Sequence, residues 1–476
     1  MRRAKIICTL GPSTFSEAQI ENLIRAGMDI VRLNFSHGND DTYRQVIQII
    51  REKSKKLKKF VPILQDLQGP KIRIGELKKA TITLKKGQKI MVTTQNIHGD
   101  EKKISIPYEP LPNLMDKGNR ILIDDGLIEL AVEDISGKEM KCRVLNEGIL
   151  KAHKGVNVPY LKTDGVSLTA KDLKDLEFGL QHNVDFVALS FVRSVKDIEN
   201  LRRKLPEMKG IGIIAKIEKR EAVDVFDEIL EVSDGIMVAR GDLAVESSTE
   251  IVPCLQKEII QKCNLALKPV ITATQMLESM VTHPRPTRAE ASDVANAVLD
   301  GSDALMLSSE TATGNYPIET VQMMDRIIRE VERHHHYHQK EYFFSPHIGY
   351  PEYKMSEPGD GSMENAACQL AQGIGAKIIS CLSEQGRSAV RLARYRPRQP
   401  IIAFTYDIQT QRKLSLVWGV QCYLMKNLLK RGKVFNFLKI VLKRLKWVED
   451  GDRIVVTTGV FTHSPDTTRI IKVHEI

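Results

Sequence analysis

Eight short apolar segments, separated by stretches with helical spacing, limit what this chain can fold into more than any other feature. They are KIICTL (5–10), DIVRLNF (29–35), VPILQD (61–66), DFVALSFV (185–192), IGIIAKI (211–217), GIMVA (235–239), PVITAT (269–274) and ALMLS (304–308). Between them, SEAQIENLIRAG and TEIVPCLQKEIIQKCNLA carry apolar residues at amphipathic-helix spacing. Eight parallel-type strands with intervening helices predict an α/β class chain folded as a (β/α)8 TIM barrel.

The interval between the third and fourth segments breaks that rhythm. ATITLKKGQKIMVTT and NRILIDDGLIELAVEDISGKEMKCRVL alternate with period two and carry glycine turns, which reads as an all-β module inserted in a barrel loop. After the eighth unit, the Pro/Gly/Ser-rich SPHIGYPEYKMSEPGDGS marks a linker. Strand-like GAKIISCLS, QPIIAFTYD, DRIVVTTGV and TTRIIKVHEI follow and predict a separate α/β domain. The expected division is a barrel over 1–69 and 166–340, an inserted β-barrel lid over 70–165, and a C-terminal α/β regulatory or oligomerisation domain over 341–476.

A chain of 476 residues exceeds one ordinary domain, and only 5% aromatic content leaves the cores mostly aliphatic. No segment reaches membrane-spanning length, and the apolar run in MRRAKIICTLGPS stops too early for a secretory h-region. The seven cysteines form no C-x-x-C pair, so neither a disulfide framework nor a zinc site is indicated. A cytoplasmic chain with reduced thiols is expected. The net charge of +10 comes without a recognisable nucleic-acid-binding motif, and anionic small substrates are the better match.

In such a barrel, chemistry collects where the βα loops converge, at the C-terminal strand ends. Arg32, Asn34 and Ser36 lie at the second end, Asp66 at the third, and Lys216 and Glu218 at the fifth. Gly241 and Asp242 follow the sixth, Thr274 the seventh, Ser308 and Glu310 the eighth. Lys216 and Glu218 are two apart and share a strand face, which fits a structural ion pair as well as a functional one. Asp242 on the neighbouring end adds a second carboxylate, a ligand set suited to a hard cation such as Mg²⁺. A lysine beside it stabilises negative charge on a transferring or enolising group. Arg32 and Arg73 suit phosphate oxygens, although a single arginine more often makes a surface ion pair. No phosphate-binding P-loop motif is present.

KIICTLGPST, DIVRLNFSHG, IIAKIEK, MVARGDLAVE and the long run from ITATQMLESM to TATGNYP closely resemble pyruvate kinase, in family order and nearly end to end. The resemblance implies phosphoryl transfer from phosphoenolpyruvate to ADP, giving pyruvate and ATP. It implies that Glu218 and Asp242 hold Mg²⁺ (or Mn²⁺), that Lys216 stabilises the phosphoryl group in flight, and that Arg32 and Arg73 bind phosphate oxygens. The backbone of Gly241 and Asp242, with Thr274, would hold the substrate carboxylate, and Thr274 would lie near the path that protonates the enolate. A second Mg²⁺ arrives with the nucleotide, and the inserted module closes as a lid. The monovalent-cation ligands of the family correspond to Asn34, Ser36, Asp66 and the carbonyl of Leu67. Lys71 stands in GPKIR where potassium-dependent members carry glutamate, which predicts K⁺-independent activity. A homotetramer is the family expectation.

Several departures from the family pattern stand out. Ala244 and Ser309 replace glycines, which matters if either backbone needs positive φ. The effector loop reads SEQGRSAV, with Ser383, Ser388 and Arg387 as candidate ligands of a phosphorylated effector, and the far loop carries Phe461, His463 and Asp466. Residues 426–446 carry eight basic side chains and no acidic one, with Val434, Leu438, Val441 and Leu445 as the apolar stripe of a helix whose basic face is solvated or meets an anionic partner. HHHYH at 334–338 suits a helix end better than a metal site.

Two other readings compete. A barrel lyase or aldolase uses the same Lys/Glu/Asp set but needs neither the lid nor the Arg32/Arg73 pair. A regulatory binding protein with a silent barrel predicts loss of Lys216, Glu218 or Asp242, and none is lost.

Overall fold

The computed structural model describes residues 2–124, 126–159, 167–206, 210–334, 361–425, 434–459, 468 and 470–476. Numbering the barrel strands alone, Lys5–Leu10 (β1), Ile30–Asn34 (β2), Ile63–Asp66 (β3), Phe186–Leu189 (β4), Gly212–Ile217 (β5), Gly235–Ala239 (β6), Val270–Ala273 (β7) and Ala304–Leu307 (β8) close into one barrel. Every neighbouring pair is parallel. All eight fall inside the segments expected from the sequence.

Alternation along each strand divides its side chains between two cores. On β5, Ile213, Ala215 and Ile217 pack with the surrounding helices, whereas Ile214 joins Ile7, Leu64, Met237, Ile271 and Met306 inside the barrel. Lys216 continues the inward row begun by Ile214, so its ammonium stands inside the barrel mouth.

The opposite end is held by a fourfold device that the apolar pattern does not reveal. Asp29, Asp185, Asp234 and Asp303 each directly precede an even-numbered strand. Their carboxylates accept the N–H groups of Ile6, Ile63, Ile213 and Val270 on the preceding odd-numbered strands, at 3.0, 2.8, 2.8 and 3.1 Å. Each also faces an arginine: Arg2 at 2.6 Å, Arg51 at 2.9 Å, Arg202 at 2.7 Å and Arg396 at 3.5 Å respectively. Buried charge is kept only where it is paired and hydrogen-bonded, and here both conditions hold at each strand start.

The inserted module contains a six-stranded sheet, ordered 156–157, 120–123, 128–136, 139–144, 89–93, 103–105, and a two-stranded antiparallel sheet pairing 81–84 with 148–151. Its own aliphatic core includes Leu84, Val92, Ile121, Leu130 and Met140. The C-terminal sheet has five strands in the order 420–424, 401–405, 378–382, 453–458, 470–475, the last antiparallel. Four were expected. The fifth, Val420–Leu424, is an edge strand with only Val420 fully buried, so its sequence lacks a continuous apolar run.

The basic segment forms the helix Val434–Arg444, but its buried positions are Leu438 and Leu442, with Phe435 and Val441 packed beside them. Leu445 lies beyond the helix and is exposed, which shifts the expected stripe by part of a turn. Residues 426–433, the linker at 345–360, His335, His336 and His338, and Phe461, His463 and Asp466 lie outside the described residues. His334 is exposed just after the helix Pro317–Arg333. Among the described residues, no helix is long and apolar enough to cross a membrane.

Candidate active site

Lys216 is the hub of the barrel mouth. Its ammonium donates to Ser190 Oγ at 2.7 Å and Asp66 Oδ1 at 3.2 Å, and lies 3.0 Å from Glu218 Oε1. Arg32 donates through Nε to Asp66 Oδ2 at 2.7 Å and through Nη1 to Thr9 Oγ1 at 2.9 Å. One carboxylate therefore anchors two cations from strands β2 and β5. Burial opposes the charged form of Asp66, but Lys216 and Arg32 outweigh it and hold the carboxyl below its usual range. Burial likewise opposes a charged Lys216, and Asp66 with Glu218 reverse the balance, so the ammonium stays protonated well above neutrality.

Glu218 is almost fully buried, and its Oε2 accepts the Phe191 N–H at 2.7 Å. Burial raises its pKa, Lys216 opposes that, and the charge of Asp242 adds to the rise. Two mutually repelling carboxylates at a cationic mouth form a hard oxygen-donor set. The residues present therefore fit a Mg²⁺ or Mn²⁺ ion that needs one or two carboxylates and fills the rest of its shell from water and substrate. Among the described residues, no group of three or more His, Cys, Asp or Glu side chains is placed to hold a metal ion.

Thr274 follows β7 with φ of 66°, and Gln275 follows with 53°. Left-handed backbone at two consecutive side-chain-bearing residues costs about 1–2 kcal/mol each. Arg240 holds the turn: its guanidinium donates to the carbonyls of Ala273 at 3.2 Å and Thr274 at 2.7 Å, and to Asp293 at 2.6 Å. Buried Glu310 accepts the N–H groups of Leu277 and Ser308 and secures the far end of the same loop. Thr274 Oγ1, so placed, accepts the Gly241 N–H at 3.0 Å. A Cβ on Gly241 would meet Thr274 only at ordinary contact, 3.6 Å, so the glycine leaves open room rather than relieving a clash.

The other expected residues divide. Asn34 pairs with Asp66 in the β2–β3 register and accepts the Ser36 N–H at 3.2 Å. The Leu67 carbonyl accepts from Ser190 Oγ at 2.7 Å. Lys71 stands apart from that group: its ammonium pairs with Asp242 Oδ1 at 3.5 Å and lies over the Phe191 ring at 5.9 Å. Arg73 is turned toward the insert and donates to the His153 carbonyl at 3.0 Å, outside the Lys216 cluster. In the C-terminal domain, Ser383 Oγ accepts the Gly386 N–H at 3.0 Å, and Ser388 meets Thr468 at 2.9 Å, both buried. Arg387 is exposed nearby. Neither replaced glycine position has positive φ: Ala244 and Ser309 both sit in helical turns, Arg240–Glu246 and Ser309–Ala312.

Several neighbours escaped the sequence reading. Ser190 and Phe191 directly follow β4, and the strand-end rule that picks out the other site residues also points to Ser190. Phe191 has φ of 55°, a strain that aims its N–H at Glu218. Buried Glu246 joins barrel to insert by accepting from Asn157 at 2.9 Å and Lys219 at 2.6 Å. His37 is exposed beside Arg73, Lys71, Arg32 and Lys171, and partial desolvation with those charges pushes its pKa down.

The family pattern described as pyruvate kinase, barrel domain, matches residues 1–321, and that described as pyruvate kinase, alpha/beta domain, matches 362–474. Pyruvate kinase of Staphylococcus aureus strain MRSA252 is 44% identical over 477 residues, spanning 100% of this chain and 80% of that protein. The strain USA300 protein of the same name has the same identity and coverage. A crystal structure of a pyruvate kinase from Cryptosporidium parvum superposes with TM-score 0.88 at 36% identity, covering 100% of this chain and 96% of that one.

Proposed function

The chain belongs to the pyruvate kinase family, and from that premise we propose that the Lys216 cluster is the reaction centre. The protein is a phosphotransferase that moves the phosphoryl group of phosphoenolpyruvate to ADP, yielding pyruvate and ATP in the last step of glycolysis. The observation that carries the site assignment is the ammonium of Lys216, fixed by Asp66, Ser190 and Glu218 at the C-terminal mouth of the barrel.

In this reading Lys216 offsets the charge of the phosphoryl group as it moves, and its pairing ensures that the charge is present at neutral pH. Arg32, locked by Asp66 and Thr9, presents the rest of its guanidinium to phosphate oxygens, and Arg73 swings in from the insert side. Glu218 and Asp242 hold Mg²⁺ or Mn²⁺. When bound, the divalent ion would supply Lewis-acid charge neutralisation for the transferring group. The backbone of Gly241 and Asp242, with Thr274, orients the substrate carboxylate once the Gly241 N–H exchanges its Thr274 Oγ1 acceptor for the ligand, and Thr274 lies beside the proton's route to the enolate. The insert closes over the mouth through the Asn157–Glu246–Lys219 seam and keeps water from replacing ADP as acceptor.

Asn34, Ser36, Asp66 and the Leu67 carbonyl form the monovalent-cation site, and the fixed charge of Lys71 beside Asp242 makes added K⁺ unnecessary. Ser383, Ser388 and Arg387 belong to a phosphate-binding effector loop. The division at 70–165 and 341–476, a homotetrameric assembly and a cytoplasmic location complete the proposal. Electron paramagnetic resonance of bound Mn²⁺ tests the metal ligands. Glu218→Gln and Asp242→Asn should each release the ion, and retention in both variants would refute the assignment.

A further inference from the structure

Between the floor of the barrel and the C-terminal domain lies a cavity of about 180 Å³ that serves no role in the chemistry above. Phe186 and Pro269, at the starts of β4 and β7, form its barrel side, and Val390, Leu414 and Val417 form its C-terminal-domain side. Its size is comparable to the roughly 150 Å³ cavities that accept a benzene ring. Three cations, Arg387, Arg391 and Lys413, are also part of the lining. The one carboxylate there, Asp234, is already committed to the Ile213 N–H at 2.8 Å and to Arg202 at 2.7 Å. Among the described residues, Arg387 and Lys413 enter no ion pair. An apolar chamber with two cations, Arg387 and Lys413, outside any ion pair matches a ligand with an apolar body and an anionic head.

The cavity is also tied to the catalytic mouth by a single short strand. Phe186 opens β4, and Leu189 closes it. The next two residues are Ser190, which accepts from Lys216, and Phe191, which donates to Glu218. Asp185, just before β4, pairs at 2.8 Å with Arg412 of the helix Ile408–Leu414, whose last residue lines the cavity. A group that moves Phe186 or that helix therefore acts on the strand carrying the partners of Lys216 and Glu218.

We propose that this cavity is a binding site for a small organic anion with an apolar body about one aromatic ring in size, and that its occupancy is transmitted through β4 to the catalytic mouth. The kinetic half of the proposal rests on the site assigned above. Isothermal titration calorimetry, with saturating phosphoenolpyruvate and Mg²⁺ present, uses phenyl phosphate and benzoate as anionic probes. Phenol serves as the neutral control and inorganic phosphate as the anion without a body. At least one anionic probe should bind once per chain and more tightly than either control, and the tighter of the two identifies a phosphate or carboxylate head. Binding should vanish in Val390→Trp, which fills the chamber, and weaken about tenfold in Arg387→Ala/Lys413→Ala. The same probe should change KM for phosphoenolpyruvate by about twofold or more in the unaltered protein and leave it constant in Val390→Trp. Should Val390→Trp fail to fold, the double variant decides alone. Absence of binding, binding undiminished by the substitutions, or binding with unchanged KM would overturn the proposal. Normal turnover with no binding refutes this site only, whereas absent turnover in the unaltered protein refutes the assignment of the reaction centre.

Discussion

Lys71, at the entry to the inserted module, and Asp242, in the first turn after β6, form an ion pair at 3.5 Å across the mouth of the barrel. The pair places a permanent positive charge beside one of the two carboxylates that suit a divalent ion. Its first consequence concerns salt. Turnover should be unchanged when potassium replaces a large organic cation at equal ionic strength. Lys71→Glu should lower the rate about 100-fold without potassium and recover when potassium is added. A potassium requirement in the unaltered protein would contradict this role for Lys71.

Arg240 should act on catalysis through the backbone. Its guanidinium spans the carbonyls of Ala273 and Thr274 and the carboxylate of Asp293, and a lysine cannot reproduce that planar fork. Arg240→Lys should let the Thr274–Gln275 turn relax from its positive φ. We expect kcat/KM for phosphoenolpyruvate to fall about 100-fold. Mn²⁺ affinity should stay near that of the unaltered protein, because Glu218 and Asp242 remain. Equal loss of metal binding would point to general misfolding.

The replaced glycines carry a prediction of the opposite kind. Ala244 lies within the helix Arg240–Glu246 and has no positive φ, so restoring glycine brings no conformational relief. Ala244→Gly should lower stability by about 1 kcal/mol in urea unfolding and leave kcat unchanged. A gain in kcat would show that the position needs glycine for function.

Lys5 links stability to pH at the barrel floor. Burial lowers its pKa from 10.5 to about 8, and its ammonium donates to the Val420 carbonyl at 2.7 Å. Between pH 8 and 10.5 the unfolded chain therefore holds more protons than the native one, and stability rises with pH through that window. The gain should reach about 3 kcal/mol relative to Lys5→Met, in which this contribution is absent. Parallel unfolding curves at pH 7 and pH 10 measure it. An unchanged difference between the two proteins would remove Lys5 from the account.

The sequence disclosed most where physics forces a visible exception. Eight buried strands need unbroken apolar runs, and each was readable. A lysine inside such a run is anomalous, so Lys216 announced itself, and Glu218 and Asp242 followed from spacing and neighbourhood. Elsewhere the signal was weaker. Val420–Leu424 is a half-exposed edge with one fully buried residue, so no apolar run marks it. An aspartate before a strand resembles any turn residue, and only the closed barrel reveals that Asp29, Asp185, Asp234 and Asp303 bind across to the neighbouring strand. The positive φ of Thr274 and Phe191 comes from tertiary bonds supplied by Arg240 and Glu218, which no local pattern encodes. Lys71 was recognised by its place in a motif, but its pairing with Asp242 depends on where the inserted module meets the barrel.

The most direct test of the reaction centre is pyruvate formation from phosphoenolpyruvate, ADP and Mg²⁺, comparing the unaltered protein with Lys216→Ala after confirming that both are folded. The account predicts rapid turnover in the first and a loss of at least about 1000-fold in the second, expressed in kcat rather than KM. Turnover in Lys216→Ala close to that of the unaltered protein would contradict it.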